Sequence, residues 1–275
     1  MDATYIVTVF VVLDDLYQTF NQPVKYRPKL LPPEVVLVAV VAAKYFQNHL
    51  ERALLLLIQT GYIAPISVSR FNRQLHQHAD LLELGLTVLM ELAREGELFI
   101  LDSEPLPVCK RKRARRCRKV RGALYCGYCA AKDEKYFGWK LHLVCTPYGI
   151  PVNFTLLPAA LHDLTPLYEL TYDLPPDSRI LGDKGYNSAD DEQWLAHEVH
   201  LIPIRKRNMK NQHDWADEYD LRTHRRIIET VNSQSESMGL QRLRARTRSG
   251  FDLKVHASLL ALYFTRSLAY EDDSN

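Results

Sequence analysis

The sequence predicts an α/β fold in two parts: a mixed β-sheet flanked by helices, preceded by an all-helical N-terminal region. Three observations predict it. Apolar residues recur at helical spacing through the first ninety-odd positions, with Pro32-Pro33-Glu34 and Ser67 placed where helices start. From Glu97 the pattern changes to short apolar runs, Leu98–Leu101, Ile180–Leu181 and Leu201–Ile204, with the character of buried strands. Helical stretches and one hairpin lie between those runs, so strands and helices alternate.

Taken in order, Ile6 to Phe20 forms the first helix, and Pro23 and Pro28 interrupt the pattern. Pro32-Pro33-Glu34 opens a second helix through Phe46. A third runs from Leu50 to Thr60 and stops at Gly61. Ser67-Val68-Ser69 starts a short polar helix carrying Arg70, Phe71, Asn72, Arg73 and Gln74, and Leu81 to Leu92 makes a fifth. This front, residues 1–95, is either a helix-turn-helix-like module with Arg70, Asn72, Arg73 and Gln74 toward DNA, or a plain bundle with one polar face. Residues 96–275 hold the sheet. Its first strand ends at Asp102, and an insert occupies about 105–135. Trp139–Cys145 and Ile150–Leu157, joined by Pro147-Tyr148-Gly149, make a hairpin. Leu164–Tyr172 is a helix stopped by Pro175-Pro176, and Ser188 caps a helix to Glu198. Leu221–Met238 is a long polar helix and Leu253–Leu268 a closing amphipathic one. Strand, hairpin, helix, strand, helix, strand, helix is an order that fits a ribonuclease-H-like layer.

The composition, 47% hydrophobic, excludes a disordered chain. Net charge is only +2, but nine of the twelve residues from Lys110 to Arg121 are Lys or Arg, and Glu271 to Asp273 is acidic. Concentrated positive charge is the footprint of a polyanion such as DNA, though a solvated loop reads the same way. Val35–Ala43 is too short to span a bilayer, which takes ~20 residues, and the apolar start lacks a basic flank and a cleavage site. A cytoplasmic, reduced protein is expected, with its five cysteines as thiols or metal ligands.

Three acids stand out. Asp102 follows the strand in Ile100-Leu101-Asp102-Ser103, and Asp183 follows another in Ile180-Leu181-Gly182-Asp183. In one parallel sheet both would emerge at the same carboxyl edge, where ligands bind. Glu229 lies beside the apolar stripe of Ile227, Ile228 and Val231 on a helix that could lean over that edge. Phosphoryl transfer needs positioning and charge stabilisation, which two Mg²⁺ ions ~3.5–4 Å apart supply when carboxylates hold them. Each acid alone is more often a turn, cap or solvated residue.

The motifs that carry the resemblance are Leu101-Asp102-Ser103-Glu104-Pro105-Leu106-Pro107-Val108-Cys109, Tyr125-Cys126-Gly127-Tyr128-Cys129-Ala130 and Tyr136-Phe137-Gly138-Trp139-Lys140-Leu141-His142. Further along are Leu161-His162-Asp163, Gly182-Asp183-Lys184-Gly185-Tyr186-Asn187, Leu201-Ile202-Pro203-Ile204-Arg205-Lys206 and Arg226-Ile227-Ile228-Glu229-Thr230-Val231. Across residues 95 to 265 the chain resembles bacterial insertion-sequence DDE transposases, most closely the family numbered 982. The resemblance implies a DNA transposase with Asp102, Asp183 and Glu229 as the catalytic, metal-binding triad and two Mg²⁺ or Mn²⁺ ions as cofactor. It implies transposon ends and target DNA as partners, and a homodimer in the synaptic complex. Related enzymes carry a Tyr-Arg-Glu-Lys signature around the last acid; here Arg225 and Glu229 match, while Arg222 and Glu236 stand at the Tyr and Lys positions. A ribonuclease-H-like nuclease without strand transfer and an inactive DNA-binding regulator are the alternatives.

Further candidates surround these. Arg70, Arg73, Lys110, Arg111, Lys112, Arg113, Arg115, Arg116, Lys184, Arg205, Lys206 and Arg225 are the expected DNA contacts, and Arg242, Arg244, Arg246 and Arg248 read as an extended arm along a DNA backbone. Asp163 reads first as a helix cap and second as a contact near Asp102. Cys109, Cys117, Cys126 and Cys129 are a weak candidate zinc site, because only the last two have the usual spacing.

Overall fold

The computed structural model describes residues 2–20, 28–205, 207–209 and 212–274. Pro23, Lys206 and Lys210 lie outside the described residues. The chain divides into two compact units, residues 90–233 and residues 1–89 with 234–275.

The first of these units is built on six strands. They are β1 (Leu98–Lys110), β2 (Cys126–Cys129), β3 (Glu134–Cys145), β4 (Pro151–Pro158), β5 (Ser178–Gly182) and β6 (Val199–Pro203). β3 lies antiparallel to β1 on one side and to β2 and β4 on the other. β1, β5 and β6 run parallel. The expected hairpin is present as β3–β4, with Gly149 at φ 80° supplying the turn. One face of the sheet holds the core: Phe99, Leu101, Ile180, Val199 and Leu201 pack with Leu167 and Leu170 of α6 (Leu167–Thr171) and Leu195 of α7 (Ala189–Leu195). Strand alternation sends Ile100, Asp102, Arg179 and Leu181 to the other face. There α8 (Trp215–Ser237) is tied down by Arg179, which pairs with Asp217 at 2.7 Å and Asp220 at 2.6 Å. This mixed sheet flanked by helices fits a ribonuclease-H-like domain.

Two differences from expectation have a local cause. β1 does not end at Asp102 but continues eight residues to Lys110, so part of the insert is sheet. Pro105 and Pro107 disguise the strand. They are tolerated because β5 pairs β1 only as far as Leu101, leaving a free edge beyond it. The ladder slips between Pro107 and Cys109, opposite Gly138. A Cβ on Gly138 would stand 2.3 Å from the Leu106 carbonyl oxygen, so this close approach requires glycine.

The other unit contains α1 (Ala3–Phe20), α2 (Pro32–Phe46), α3 (Leu50–Gln59), α4 (Val68–Gln77), most of α5 (Ala79–Leu92) and α9 (Arg248–Ser274). Val35 to Ala43 are at most 2% exposed, which explains why α2 is apolar all round: it is the centre of the bundle. Glu34 accepts the Leu31 N–H at 2.5 Å at its start. The expected cap of α4 is present, with Ser67 Oγ accepting the Arg70 N–H at 3.4 Å. A cut near residue 95 does not describe the packing of the tail. α9 returns to this bundle, where Lys44 Nζ donates to Thr265 Oγ1 at 2.8 Å and Tyr5 donates its hydroxyl to the Ala261 carbonyl at 3.2 Å.

Candidate active site

The sheet register sets the site. Leu101 pairs with Gly182 as the last pair of the parallel β1–β5 ladder, and Asp102 and Asp183 are the residues that follow them. Both residues follow apolar stretches buried in the sheet, which hold their backbones rigidly. Asn232, on the α8 turn after Glu229, donates its side-chain N–H to Asp102 Oδ2 at 2.7 Å. Asp102, Asp183, Arg225, Glu229 and Asn232 line one cavity of about 200 Å³, floored by Ile100, Leu181 and Ile228.

The electrostatics follow from that geometry. Burial raises the Asp102 carboxyl to about 6; the hydrogen bonds from Asn232 and the Ser103 backbone oppose the rise, and the charges of Asp183 and Asp163 add to it. Glu229 is exposed and pairs with Arg225 Nε at 3.1 Å. No three His, Cys, Asp or Glu side chains among the described residues stand together at metal-holding geometry, the three acids included. The donor chemistry suits a hard divalent cation: three carboxylates line one cavity, and an amide orients that of Asp102.

Behind Asp102, on the core face, lies a polar layer. Asp163 accepts from Lys140 Nζ at 2.7 Å and from Ser103 Oγ at 3.3 Å. The cap reading of Asp163 is therefore corrected. His162 takes the local role instead, its Nδ1 accepting the Leu164 N–H at 3.3 Å. The buried Tyr186 ring packs under Gly182, and its hydroxyl lies 2.9 Å from His142 Nδ1. Burial pushes His142 down to about 4 and Tyr186 well above its ordinary value.

The basic candidates separate. Lys110, Arg111, Lys112, Arg113, Arg115, Arg116 and Lys184 are exposed, and among the described residues only Lys110 of this set has an ion pair, at 3.5 Å to Glu134. Arg225 lines the cavity rim. Arg70 and Arg73 are exposed on α4. Arg205 is a correction: it is turned inward onto Glu192 at 2.5 Å and Asn187 at 3.1 Å, so it joins α7 to the end of β6. Its side chain is 14% exposed, which leaves little guanidinium for DNA.

Among the described residues, no three of the four candidate thiols stand together at metal-holding geometry. Cys126 and Cys129 both lie on β2, and residues three apart on a strand point to opposite faces, so the pair cannot chelate. Cys109 lies against Cys117 instead, which helps burial to raise its thiol.

Sequence reasoning missed Asn232, Lys140 and the Tyr186–His142 pair. Asn232 had one readable signal, its place three residues after Glu229 on the same helical face. The other contacts join distant segments and have no local signature.

A family model described as a transposase DDE domain matches residues 92–248, more than half of the chain. The chain belongs to this family. A search of curated proteins finds no match. The matched stretch of this DDE domain contains all six strands, α8 and the three acids. No described helix is long and apolar enough to cross a membrane.

Proposed function

We propose that this DDE-family protein binds the ends of an insertion sequence, hydrolyses a phosphodiester to free a 3′-OH, and joins that hydroxyl to target DNA. Its finer placement, in the family numbered 982, rests on the motifs around Cys126, Asp183 and Glu229. One observation carries the reading. Asp102 and Asp183 each follow the last pair, Leu101 and Gly182, of the parallel β1–β5 ladder, and both line one cavity with Glu229 of α8.

Asp102, Asp183 and Glu229 are the residues that would hold two divalent ions. When bound, Mg²⁺ or Mn²⁺ stabilises charge on phosphoryl oxygens and favours deprotonation of the attacking oxygen. The chain's own residues do the positioning. Asn232 orients the Asp102 carboxylate, and Asp183 follows the last paired residue of the neighbouring strand. Glu229 must part from Arg225 to join them, and an exposed helical pair of this kind is worth only about 0.3–0.5 kcal/mol. Arg225 and Lys184 are then free to meet phosphate oxygens. Water and then the 3′-OH are the nucleophiles, so no side chain forms a covalent bond with DNA. Joining two ends calls for two copies of the chain.

The test is incubation of the full chain with duplexes carrying the DNA that flanks its own gene, plus a target plasmid, with and without Mg²⁺. Joined donor–target product is the expected result. Cleavage without joining would make it a nuclease, and binding without cutting would make it a regulator.

A further inference from the structure

A second and larger cavity, about 860 Å³, lies within the helical unit. Its walls are the turn between α2 and α3, the α4 face bearing Asn72 and His76, and the stretch Arg244–Thr247 that leads into α9. Arg52, Arg244 and Arg246 stand exposed around it. No ion pair engages any of these three among the described residues. Glu51 is the only acid among the described lining residues.

The cleft is built on a fixed frame. Asn48, with φ 63°, is buried and donates to the Met238 carbonyl at 2.9 Å and to Ser258 Oγ at 2.8 Å. Lys254 Nζ donates to the carbonyls of Asn48 at 3.0 Å and Arg244 at 2.8 Å, so it ties the arginine-bearing stretch to the α2–α3 turn. Leu243 is buried while Arg244 and Arg246 project outward. A pinned backbone of this kind presents its guanidinium groups at low entropic cost.

We infer that this cleft is a docking surface for the phosphate backbone of duplex DNA. The inference rests on the transposase reading above and adds a contact surface to it outside the DDE cavity. Unpaired guanidinium groups in an open polar cleft match phosphodiester oxygens, which they bind in bidentate fashion. No Phe, Tyr or Trp is among the described lining residues, so the cleft offers no such platform for stacking unpaired bases. That chemistry grips a backbone and reads no sequence.

The experiment is a salt titration of binding without divalent ions. The probes are a 30-base-pair duplex from the DNA flanking the gene and a scrambled duplex of the same length. Arg52→Gln/Arg244→Gln/Arg246→Gln should make the slope of log K against log salt shallower by about 3 on both probes, close to one per lost contact. The triple lysine variant should keep the wild-type slope and so reports on folding. An unchanged slope in the glutamine variant, with wild-type binding and cleavage intact, overturns this inference alone. Failure of the wild-type chain to bind either duplex overturns the transposase reading with it. Loss of binding to an acidic peptide, with the duplex slope retained, would assign the cleft to a protein partner and also overturn the inference.

Discussion

Asn232 donates a hydrogen bond to Asp102 across 2.7 Å, joining α8 to the carboxyl edge of the sheet over 130 positions of sequence. Asp102 is thereby oriented before any cation arrives. Removing such an outer partner commonly lowers metal affinity or activity about 10–100-fold. Asn232→Ala should raise the Mg²⁺ concentration needed for half-maximal cleavage by a factor in that range, with partial recovery at high Mg²⁺. A wild-type Mg²⁺ titration curve in the variant would show that Asn232 does not position Asp102.

Replacing Asp102, Asp183 or Glu229 by Ala should reduce cleavage by about 10³-fold or more, the scale of several kcal/mol of lost charge stabilisation. DNA binding measured in EDTA should be unaffected. Full cleavage by any one of the three variants removes that residue from the triad.

The run from Arg111 to Arg116 is exposed at the end of β1 and is free to follow a DNA backbone. Neutralising Arg111, Arg113, Arg115 and Arg116 together should flatten the salt dependence of DNA binding by up to about 4 in slope. A slope equal to wild type assigns the run to solvent.

His142 is fully buried against Tyr186 and its folded value lies at about 4, below the ordinary 6.5. The unfolded chain therefore takes up this proton first as pH falls. Stability from neutral His142 is complete above pH ~6.5 and is lost progressively down to pH ~4. Between pH 7 and pH 4.5 this amounts to about 2 kcal/mol. Urea melts of wild type and His142→Asn should show a smaller pH-dependent loss in the variant by that order. Equal losses would mean that His142 does not drive the acid sensitivity.

Gly138 faces the irregularity in β1, where the Leu106 carbonyl oxygen would lie 2.3 Å from an added Cβ. Gly138→Ala should cost about 1–3 kcal/mol or more, since the neighbour is backbone and cannot swing aside. Thermal or urea denaturation reads this directly, and a variant as stable as wild type would mean that the bulge can relax.

Much of the architecture is legible in the sequence, because helix and strand periodicities are local. The buried runs ending at Asp102 and Asp183, the Pro147–Gly149 hairpin and the Ser67 cap all announce themselves within a few residues. So did the three acids as candidates, each sitting at a strand end or beside an apolar stripe. What the chain could not spell out locally was decided by register and by which face each side chain joins. The prolines hid the outer half of β1, since only the missing neighbour beyond Leu101 makes them acceptable there. The strand geometry of β2 turned Cys126 away from Cys129, although their spacing resembles a zinc ligand pair. Arg205 was claimed by Glu192, Asp163 by Lys140, and Asp102 by Asn232, each over a separation that no local pattern encodes. α9 closed the helical bundle because its apolar face is satisfied by α2, far away in sequence. Periodicity tells each segment what to become, whereas packing and the pairing of buried charge choose its partners, and those choices exist only once the whole chain has folded.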